Sequence, residues 1–402
     1  MAKGGVTRFG LLVAIASVVL GVGIVSVTGV QKNDRIPDVK QYNPVGEGDY
    51  VEYAKLFNVY YSGERKVLMD GANRTLILQR SSETQPAVAD SRSMITASVP
   101  AAYAEPDNAI FIPANRIIVF SSTHAAMMDR LGIADRIVGV AWGGGYEWYI
   151  DSIKDGLKAG RIMDIGQGNN PSYDEIVSLK PDLVVLVGGT GMWEDKARKL
   201  DELGIRYVVN SEWLESDPVA RFEWIKFFAA LTDDEEKAVQ VFDEAKGKVE
   251  SVIERIEGLD KPGVAWAGVF KGTAYVPRTD SYVGKMIEMA GGKYLFEDLP
   301  GTGSAQISME ELVARGSRAE ILVYSSTETN STSEIIRESP LLAGMAAIKS
   351  CQVYAFEPWY WQKLDQLDDT VSDVATIMHP EAFPDYYQLK QFRKLNCDLQ
   401  QK

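Results

Sequence analysis

The stretch Asp164–Gly189, DIGQGNNPSYDEIVSLKPDLVVLVGG, decides the fold. Ser172 is a good helix N-cap and Glu175 follows it at the capping-box spacing. Lys180-Pro181 ends the predicted helix, because proline disfavours helical geometry in the residue before it. The apolar run Leu183–Val187 then has the length and composition of a parallel strand covered on both faces. The stretch therefore predicts a loop, a short helix and a buried strand.

The same unit recurs further along the chain. Ser308 and Glu311 repeat the capping-box pattern, and the run Glu320–Tyr324 supplies the strand that follows. The second helical position is acidic in both copies, Asp174 in the first and Glu310 in the second. Two matching units suggest two lobes of similar build, although any α/β protein has capped helices before strands.

Composition bounds the class of protein. The 402 residues are enough for two domains, and the 46% hydrophobic content supports a real core. A net charge of −14 argues against nucleic acid and anionic membrane surfaces as partners. Cys351 and Cys397 give neither a disulfide framework nor a metal-site spacing; they could pair, but their separation does not argue for it. Two histidines argue against a multi-histidine zinc site.

The N-terminus predicts export. Phe9–Val30 is an uncharged apolar run long enough to span a bilayer, and the preceding Lys3 and Arg8 favour an N-terminus-inside orientation. A cleaved signal peptide is the rival interpretation, but the run is long for one and lacks a clear small-x-small cleavage site. We therefore favour a signal anchor. No cysteine follows the run, which excludes a bacterial-type lipid anchor, and either interpretation places the remainder outside the cytoplasm.

Composition shifts divide the chain into seven segments. They are a signal anchor or signal peptide (1–30), a polar linker (31–48), a β-rich N-terminal extension (49–115), an N-terminal α/β lobe (116–216), a connecting helix (217–260), a C-terminal α/β lobe (261–378) and a C-terminal tail (379–402). Strand and helix patterns alternate over short spans in both lobes, which implies mostly parallel sheets.

Three segments carry more specific predictions. Phe57–Gln79 is predicted to be a β-hairpin or meander, because turn residues interrupt its β-rich runs. Pro218–Gly258 is predicted to be one long, rigid helical connector whose apolar residues recur at helical spacing, with a cap at Thr232. The tail after His379-Pro380 is predicted to be helical and to pack back on a lobe.

Ligand-binding residues are sought where parallel strands end, since ligands of open α/β sheets bind there. Six of the eight tryptophans follow predicted strands, and aromatic rings with a few polar groups describe a pocket for a large, flat or greasy ligand. Lys271 and Arg278 add positive charge suited to an anionic chelate. The predicted ligand-binding side chains are Thr123, His124, Trp142, Tyr146, Trp148, Trp193, Lys271, Tyr275, Arg278, Trp359, Tyr360 and Trp361.

No catalytic constellation is predicted. His124 has no partner that can be placed beside it, so a structural or ligand-contact role is favoured over catalysis. Glycine-rich turns at 166–168 and 301–303 lack the Gly-Lys-Ser/Thr of a P-loop. Asn73 and Asn330 match the N-glycosylation acceptor pattern, a motif that often arises by chance. No resident metal or cofactor is expected.

Six segments between Arg116 and about Pro384 stand in a characteristic order: RIIVFSSTHAAMMDRLGIADRIVGVAW, PSYDEIVSLKPDLVVL, GTAYVPRTDSYVGKMIEMAGG, ISMEELVARG, CQVYAF and MHPEAF. In these segments the chain resembles the class III substrate-binding proteins of ABC importers, which carry iron-siderophores, haem or cobalamin. The resemblance implies an α/β fold of two Rossmann-like lobes joined by a long helix, with a cleft between the lobes and little hinge motion. The β-rich extension and the N-terminal hydrophobic helix are additions to that pattern.

The resemblance also implies partners. In this family each lobe presents an acid that pairs with arginines of the permease, and by motif position those acids are Asp174 and Glu310. Asp174 replaces the commoner glutamate. The resulting expectation is a monomeric, membrane-tethered receptor that delivers a metal chelate to an ABC importer permease dimer, with a ferric siderophore ranked above corrinoid and haem. The alternatives are a metal-cofactor-processing enzyme on the same architecture, or a surface interaction module.

Overall fold

The computed structural model describes residues 45, 49–62, 65–80, 109–142, 146–189, 191–386 and 388–398. The predicted signal segment Phe9–Val30 and most of the linker 31–48 lie outside these residues. Within the described ranges, no helix is both long and apolar enough to cross a membrane.

The extension ahead of the lobes is a four-stranded sheet, as the β-rich pattern predicts. Its strands, in order across the sheet, are β1 (Asn58–Ser62), β2 (Arg65–Met69), β3 (Thr75–Arg80) and β4 (Ala109–Ile112). The first three strands form an antiparallel meander, and β4 joins parallel to β3. Residues 81–108, between β3 and β4, lie outside the described part of the chain.

The N-terminal lobe is built on a five-stranded parallel sheet. Its strands are β5 (Ile117–Val119), β6 (Ile137–Val140), β7 (Met163–Asp164), β10 (Leu183–Val187) and β11 (Tyr207–Asn210), with a two-stranded ribbon of β8 (Gly166–Gln167) and β9 (Asn170–Pro171) beside them. The order across the sheet is β11-β10-β5-β6-β7. β10 therefore has neighbours on both sides, and its first four residues are buried, as its apolar sequence predicts.

Four helices surround this sheet. They are α1 (Ser122–Arg130), α2 (Asp151–Lys158), α3 (Tyr173–Leu179) and α4 (Glu194–Glu202), with 3₁₀ turns at Ala134–Arg136 and Glu212–Leu214. α3 confirms the capping prediction, because the Ser172 hydroxyl accepts a hydrogen bond from Glu175 N at 3.4 Å. Lys180, just before Pro181, takes the left-handed conformation (φ 45°) and ends the helix.

The connecting segment is three helices rather than the single helix predicted. They are α5 (Pro218–Glu223), α6 (Ile225–Thr232) and α7 (Glu235–Ile256). Asp233 takes a left-handed conformation (φ 60°), which breaks the helix there, and Asp234 rather than Thr232 stands at the N-cap of α7. The predicted apolar stripe of α7 is confirmed, since its buried residues include Ala238, Phe242, Ala245, Val249, Val252 and Ile256.

The C-terminal lobe is built on a seven-stranded mixed sheet. Its strands are β12 (Gly263–Phe270), β13 (Thr273–Pro277), β14 (Lys293–Tyr294), β15 (Ser304–Ile307), β16 (Ile321–Tyr324), β17 (Val353–Phe356) and β18 (Phe392–Lys394). The order is β15-β13-β12-β16-β17-β18, with β14 beside β12, and the core strands β12, β16 and β17 are parallel. Its helices are α8 (Tyr282–Met289), α9 (Met309–Gly316), α10 (Thr332–Glu338), α11 (Ala346–Lys349) and α12 (Leu367–Met378), with 3₁₀ turns at Pro340–Gly344, Tyr360–Gln362 and Pro380–Ala382.

The described part of the tail, residues 379–386 and 388–398, contains no α-helix, which corrects the prediction. After the 3₁₀ turn it runs extended and adds β18 antiparallel to β17. The buried carboxylate of Asp373 accepts backbone N–H bonds from Lys390, Gln391 and Phe392, which favours an extended path across it. Cys351 and Cys397 form a disulfide, with Cα atoms 5.5 Å apart, that fixes the tail to the lobe. Their wide separation in sequence did not argue for this pairing.

Buried carboxylates fasten the extension to the connecting helices. Glu223 of α5 and Glu215 accept hydrogen bonds of 2.7–3.0 Å from five consecutive backbone N–H groups, those of Glu52, Tyr53, Ala54, Lys55 and Leu56. A buried carboxylate requires such donors to replace the water that it loses. Lys226 of α6 also pairs with Glu223 at 2.9 Å and donates to Tyr50 O at 2.8 Å.

The turn between β2 and β3 covers the open edge of the N-terminal lobe. Gly71 N donates to Val209 O at 2.8 Å, and Val209 N donates to the carboxylate of Asp70 at 3.0 Å. β11 is the edge strand of its sheet, so the turn satisfies backbone groups that the edge would otherwise leave unpaired. The extension therefore packs on the connector and on one edge of a lobe.

Candidate functional site

The two lobes meet where the strands of the N-terminal sheet end. β5 and β6 are parallel neighbours, so Ser121–His124 and Trp142 emerge at the same edge, and Glu212 follows β11 there. Tyr282 at the start of α8 and the turn Trp359–Gln362 approach this edge from the C-terminal lobe. We call this region the inter-lobe junction.

Three rings of the N-terminal lobe form one aromatic group in the junction. Trp142 stacks on Tyr146 with ring centroids 4.6 Å apart, and Tyr146 packs edge-on against Trp148 at 5.2 Å. The Tyr146 hydroxyl donates to Ser122 Oγ at 3.5 Å. Trp142 Nε1 is buried without a hydrogen-bond partner among the described residues. The structure thus brings together three of the predicted ligand residues.

Of the three rings in the C-terminal turn, two pack in the core of their own lobe and one lies in the junction. Tyr360 stacks on Phe356 at 4.1 Å, and Trp361 packs edge-on against the same ring at 5.3 Å. These two rings are anchored in their own lobe. Trp359 reaches across to Tyr149 of the N-terminal lobe, with centroids 6.1 Å apart. Trp359 is therefore the ring of this turn that faces the opposite lobe.

A buried polar chain runs through the junction and touches all three parts of the fold. Thr123 Oγ1 donates to Glu212 Oε1 at 2.6 Å, and Arg221 Nη2 lies 3.6 Å from the same oxygen. The Arg221 guanidinium, on α5, lies 4.5 Å from the ring centroid of Tyr282. The contacts therefore lead from the N-terminal lobe through the connector to the C-terminal lobe. We call Thr123, His124, Asn210, Glu212 and Arg221 the polar cluster.

His124 is fully buried within this cluster. Its Nε2 lies 4.0 Å from Glu212 Oε2, and its ring packs 5.9 Å from Phe228. Burial lowers the pKa of His124 to about 4, an effect that the neighbouring Glu212 carboxylate opposes. The imidazole is consequently neutral at pH 7. Its role as a ligand contact stays a prediction.

Several buried polar atoms in the junction lack a hydrogen-bond partner among the described residues. They are Nε1 of Trp142, Oε2 of Glu212 and Nε of Arg221, whereas the His124 side chain interacts with Asn210 and the Tyr360 hydroxyl with Tyr282. Leaving one such atom unsatisfied costs about 1–3 kcal/mol. Native cores avoid this cost, so a concentration of unsatisfied atoms at one place indicates groups that have a use other than packing.

Other predicted ligand residues lie elsewhere. Trp193 stands at the start of α4, where Arg74 of the extension lies 5.8 Å from its ring centroid. Lys271 is exposed on the β12–β13 turn with its ammonium group near Phe270, and Arg278 donates to Pro300 O at 2.9 Å. Tyr275 is half-buried on β13. Among the described residues, no hydrogen bond, ion pair or ring contact joins these four side chains to the aromatic group, and their roles in ligand binding stay predictions.

Asp174 and Glu310 occupy equivalent places in the two lobes. Each is the second residue of a helix that a serine caps, α3 in one lobe and α9 in the other. Both side chains are exposed, and neither makes an ion pair or hydrogen bond with the described residues. Both carboxylates are thus open to a partner. Across the described ranges, no group of three or more His, Cys, Asp or Glu side chains could hold a metal ion.

The ligand residues predicted from the sequence do not include Glu212, Arg221 and Gln362, which the structure places in the junction. Glu212 could have been found, because it directly follows a strand at the ligand edge. Arg221 lies inside a helix, and no local pattern distinguishes it from a surface arginine. Gln362 follows the aromatic turn but carries no charge and no motif. Their positions become apparent only when the lobes are assembled.

Comparison with known proteins places the fold. Residues 117–359 match the model of the family described as periplasmic binding protein. An uncharacterized lipoprotein of Methanocaldococcus jannaschii is 33% identical over 355 residues, which cover 83% of this chain and 82% of the relative. The family match begins at β5, so the extension lies ahead of it.

Solved structures share the two-lobed architecture. A possible iron-binding, periplasmic solute-binding protein of Staphylococcus epidermidis superposes with a TM-score of 0.53 at 22% identity, covering 66% of this chain and 99% of that chain. A periplasmic heme binding protein of Vibrio cholerae superposes with a TM-score of 0.51 at 17% identity, covering 64% of this chain and 97% of that chain. At these identities the likeness concerns the fold.

Proposed function

The chain belongs to the periplasmic binding protein family, and from that premise we propose that it captures a metal chelate in the inter-lobe junction and delivers it to an ABC importer. The family consists of substrate-binding proteins that work with ABC importer permeases. Membership supports an extracytoplasmic location, and the lipoprotein name of the Methanocaldococcus jannaschii relative agrees with it. Attachment through Phe9–Val30 is part of the proposal.

The proposed class of ligand is inferred from the aromatic group. Trp142 and Tyr146 stack on each other, Trp148 is buried edge-on against Tyr146, and Trp359 of the other lobe contacts the neighbouring Tyr149. Rings of this kind bury the flat or greasy faces of a large ligand, while a few polar groups fix its orientation. A ferric siderophore ranks first. Haem and corrinoid follow, and the solved relatives that are named for iron and haem binding support this range.

Delivery is assigned to Asp174 and Glu310. Both acids are exposed at equivalent helix starts, one in each lobe. A dimeric permease presents two equal surfaces, so a receptor with one carboxylate per lobe can engage both at once. Arginine is the natural partner, because its guanidinium pairs with a carboxylate through two parallel hydrogen bonds.

A tryptophan-fluorescence titration tests the ligand assignment. The purified protein is titrated with iron(III) siderophore complexes, cobalamin and haem. We expect saturable quenching by one class at sub-micromolar concentration, and loss of that response in Trp142→Ala. Trp266→Phe is the comparison variant, because Trp266 is buried in the core of the C-terminal lobe against Phe392 and its change should leave the affinity intact. The absence of quenching by any of the three classes would remove the metal-chelate assignment.

A further inference from the structure

The buried charges of the junction are balanced. Arg221 is 7% exposed and Glu212 is 2% exposed, and their side chains lie 3.6 Å apart. His124 beside them is neutral at pH 7, because burial lowers its pKa to about 4. Lys271 contacts Phe270 on the β12–β13 turn and Arg278 donates to Pro300 O, so neither belongs to the polar cluster. The polar cluster therefore offers no net positive charge.

The unpartnered atoms of the junction include both donors and acceptors. Arg221 Nε carries a hydrogen to donate, and Glu212 Oε2 can only accept while it is ionised. A ligand that satisfies this set carries both carbonyl-type oxygens and N–H or O–H groups.

We propose that the Arg221–Glu212 pair determines the ligand selectivity of the junction, and that it selects an electrically neutral, hydrogen-bonding chelate over a polyanionic one. The inference rests on the proposed function and narrows its ligand class. Within that class it favours complexes of the hydroxamate type, in which deprotonated oxygens offset the charge of iron(III) and amide groups remain available for hydrogen bonds.

The reason lies in the cost of like charges in a buried site. A polyanion beside Glu212 meets a carboxylate that water does not screen, and like charges in such surroundings repel strongly. Arg221 cannot offset a whole polyanion, because Glu212 already shares its charge. A neutral complex escapes the repulsion and can still use the donor and acceptor atoms of the cluster.

Two iron(III) complexes of opposite character serve as probes. One is neutral iron(III) tris(acetohydroxamate), and the other is the polyanionic iron(III) tris-catecholate complex. We expect the wild-type protein to bind the tris-hydroxamate at least about tenfold more tightly, a difference that corresponds to one decade in Kd. Equal affinities, or a preference for the tris-catecholate, would overturn the proposal.

Variants that remove one charge of the pair should shift the affinity for the tris-catecholate in opposite directions. Glu212→Gln leaves Arg221 unbalanced and should raise affinity for the tris-catecholate about tenfold or more. Arg221→Gln leaves Glu212 unbalanced and should weaken the tris-catecholate further, whereas the double variant restores neutrality and the wild-type order of affinities. Arg318→Gln removes an exposed positive charge ahead of β16, at the opposite edge of the sheet, and should change neither affinity. Shifts of the same sign in the two single variants would contradict the assignment.

The proposed function and this inference fail in different ways. A wild-type protein that binds neither iron complex contradicts the ferric-siderophore assignment and, with it, the selectivity proposal. A wild-type protein that binds both with equal affinity leaves the transport role standing and refutes the selectivity role of the pair. Arg221→Lys guards against misfolding, since it keeps the charge and should keep the order of affinities.

Discussion

The side-chain amide of Gln362 in the C-terminal lobe forms hydrogen bonds with the backbone of Glu147 and Tyr149 in the N-terminal lobe. Its Oε1 accepts from Tyr149 N at 2.8 Å, and its Nε2 donates to Glu147 O at 2.6 Å. The side chain is 3% exposed, so water competes weakly for these bonds. One carboxamide thus satisfies two backbone groups across the junction and helps to fix the position of one lobe against the other.

Gln362→Leu should loosen the junction while leaving each lobe folded. The substitution roughly keeps the volume but leaves one part-buried backbone N–H and one C=O without their partner, which costs on the order of 1 kcal/mol. Hydrogen–deuterium exchange at the Tyr149 amide should accelerate by at least about tenfold. Gln240→Leu on α7 is the control, since its amide pairs only with Glu244 in the described structure. An unchanged Tyr149 exchange rate would show that the two hydrogen bonds of Gln362 do not stabilise the junction.

Reversing the charge of Asp174 and Glu310 should abolish transport and leave ligand binding unchanged. The Asp174→Arg/Glu310→Arg variant places like charges against the arginines expected on the permease, so uptake should fall to background while ligand affinity changes less than about twofold. Uptake into cells and a parallel ligand titration measure the two effects.

A matched variant controls for the change in net charge. Glu254→Arg/Glu257→Arg alters two exposed acids at the end of α7 and should leave uptake intact. Asp174→Glu tests reach, because the longer side chain should support uptake at least as well as the native aspartate. Loss of ligand affinity in the docking variant would place these acids in the binding site instead.

His124 should make the protein less stable in acid. Its folded pKa of about 4 lies below the usual unfolded value of about 6.5, so the unfolded chain binds the proton more tightly between these pH values. Stability is therefore lost as pH falls from about 6.5 towards 4, by about 2 kcal/mol at pH 5. Urea unfolding at pH 7 and pH 5 should show a smaller acid loss in His124→Gln. Identical losses in the two proteins would disprove the buried neutral histidine.

Gly71→Ala should detach the extension from the N-terminal lobe. A Cβ at this position would lie 2.7 Å from Ser211 N and 2.8 Å from Ser211 Cβ, so one of the two backbones must move. We expect a loss of about 1–3 kcal/mol in urea unfolding and faster proteolysis of β1–β4. Gly247→Ala is the contrasting change, because its Cβ meets open space within α7 and should be neutral or stabilising. Equal behaviour of the two variants would rule out close packing at this turn.

The regular parts of the fold could be predicted because their signals are local. Ser172 with Glu175, and Ser308 with Glu311, cap helices in the structure as the sequence pattern indicates. Leu183–Val187 is buried between two parallel neighbours because an all-apolar run fits no other place in an α/β lobe. The α7 stripe follows from helical spacing in the same way.

Features that depend on distant residues were missed. The tail is extended because Asp373, far from it in sequence, binds its backbone N–H groups, and no propensity within the tail encodes that contact. The break before α7 depends on the left-handed conformation of Asp233, which pairs with Lys66 of the extension. Arg221 became visible as a junction residue only through its contacts with Glu212 and Tyr282.

The hydrogen bonds from the backbone of residues 52–56 to Glu223 and Glu215 determine how a force on the N-terminal chain reaches the lobes. A pull on the chain ahead of Asp49 first reaches Tyr50 and residues 52–54, which bond to Lys226 and Glu223 of the connecting helices, and reaches Glu215 of the N-terminal lobe only afterwards. A force applied at the pivot of two arms exerts little torque on them. A protein tethered by its N-terminus can therefore be dragged or tilted without its arms being levered apart.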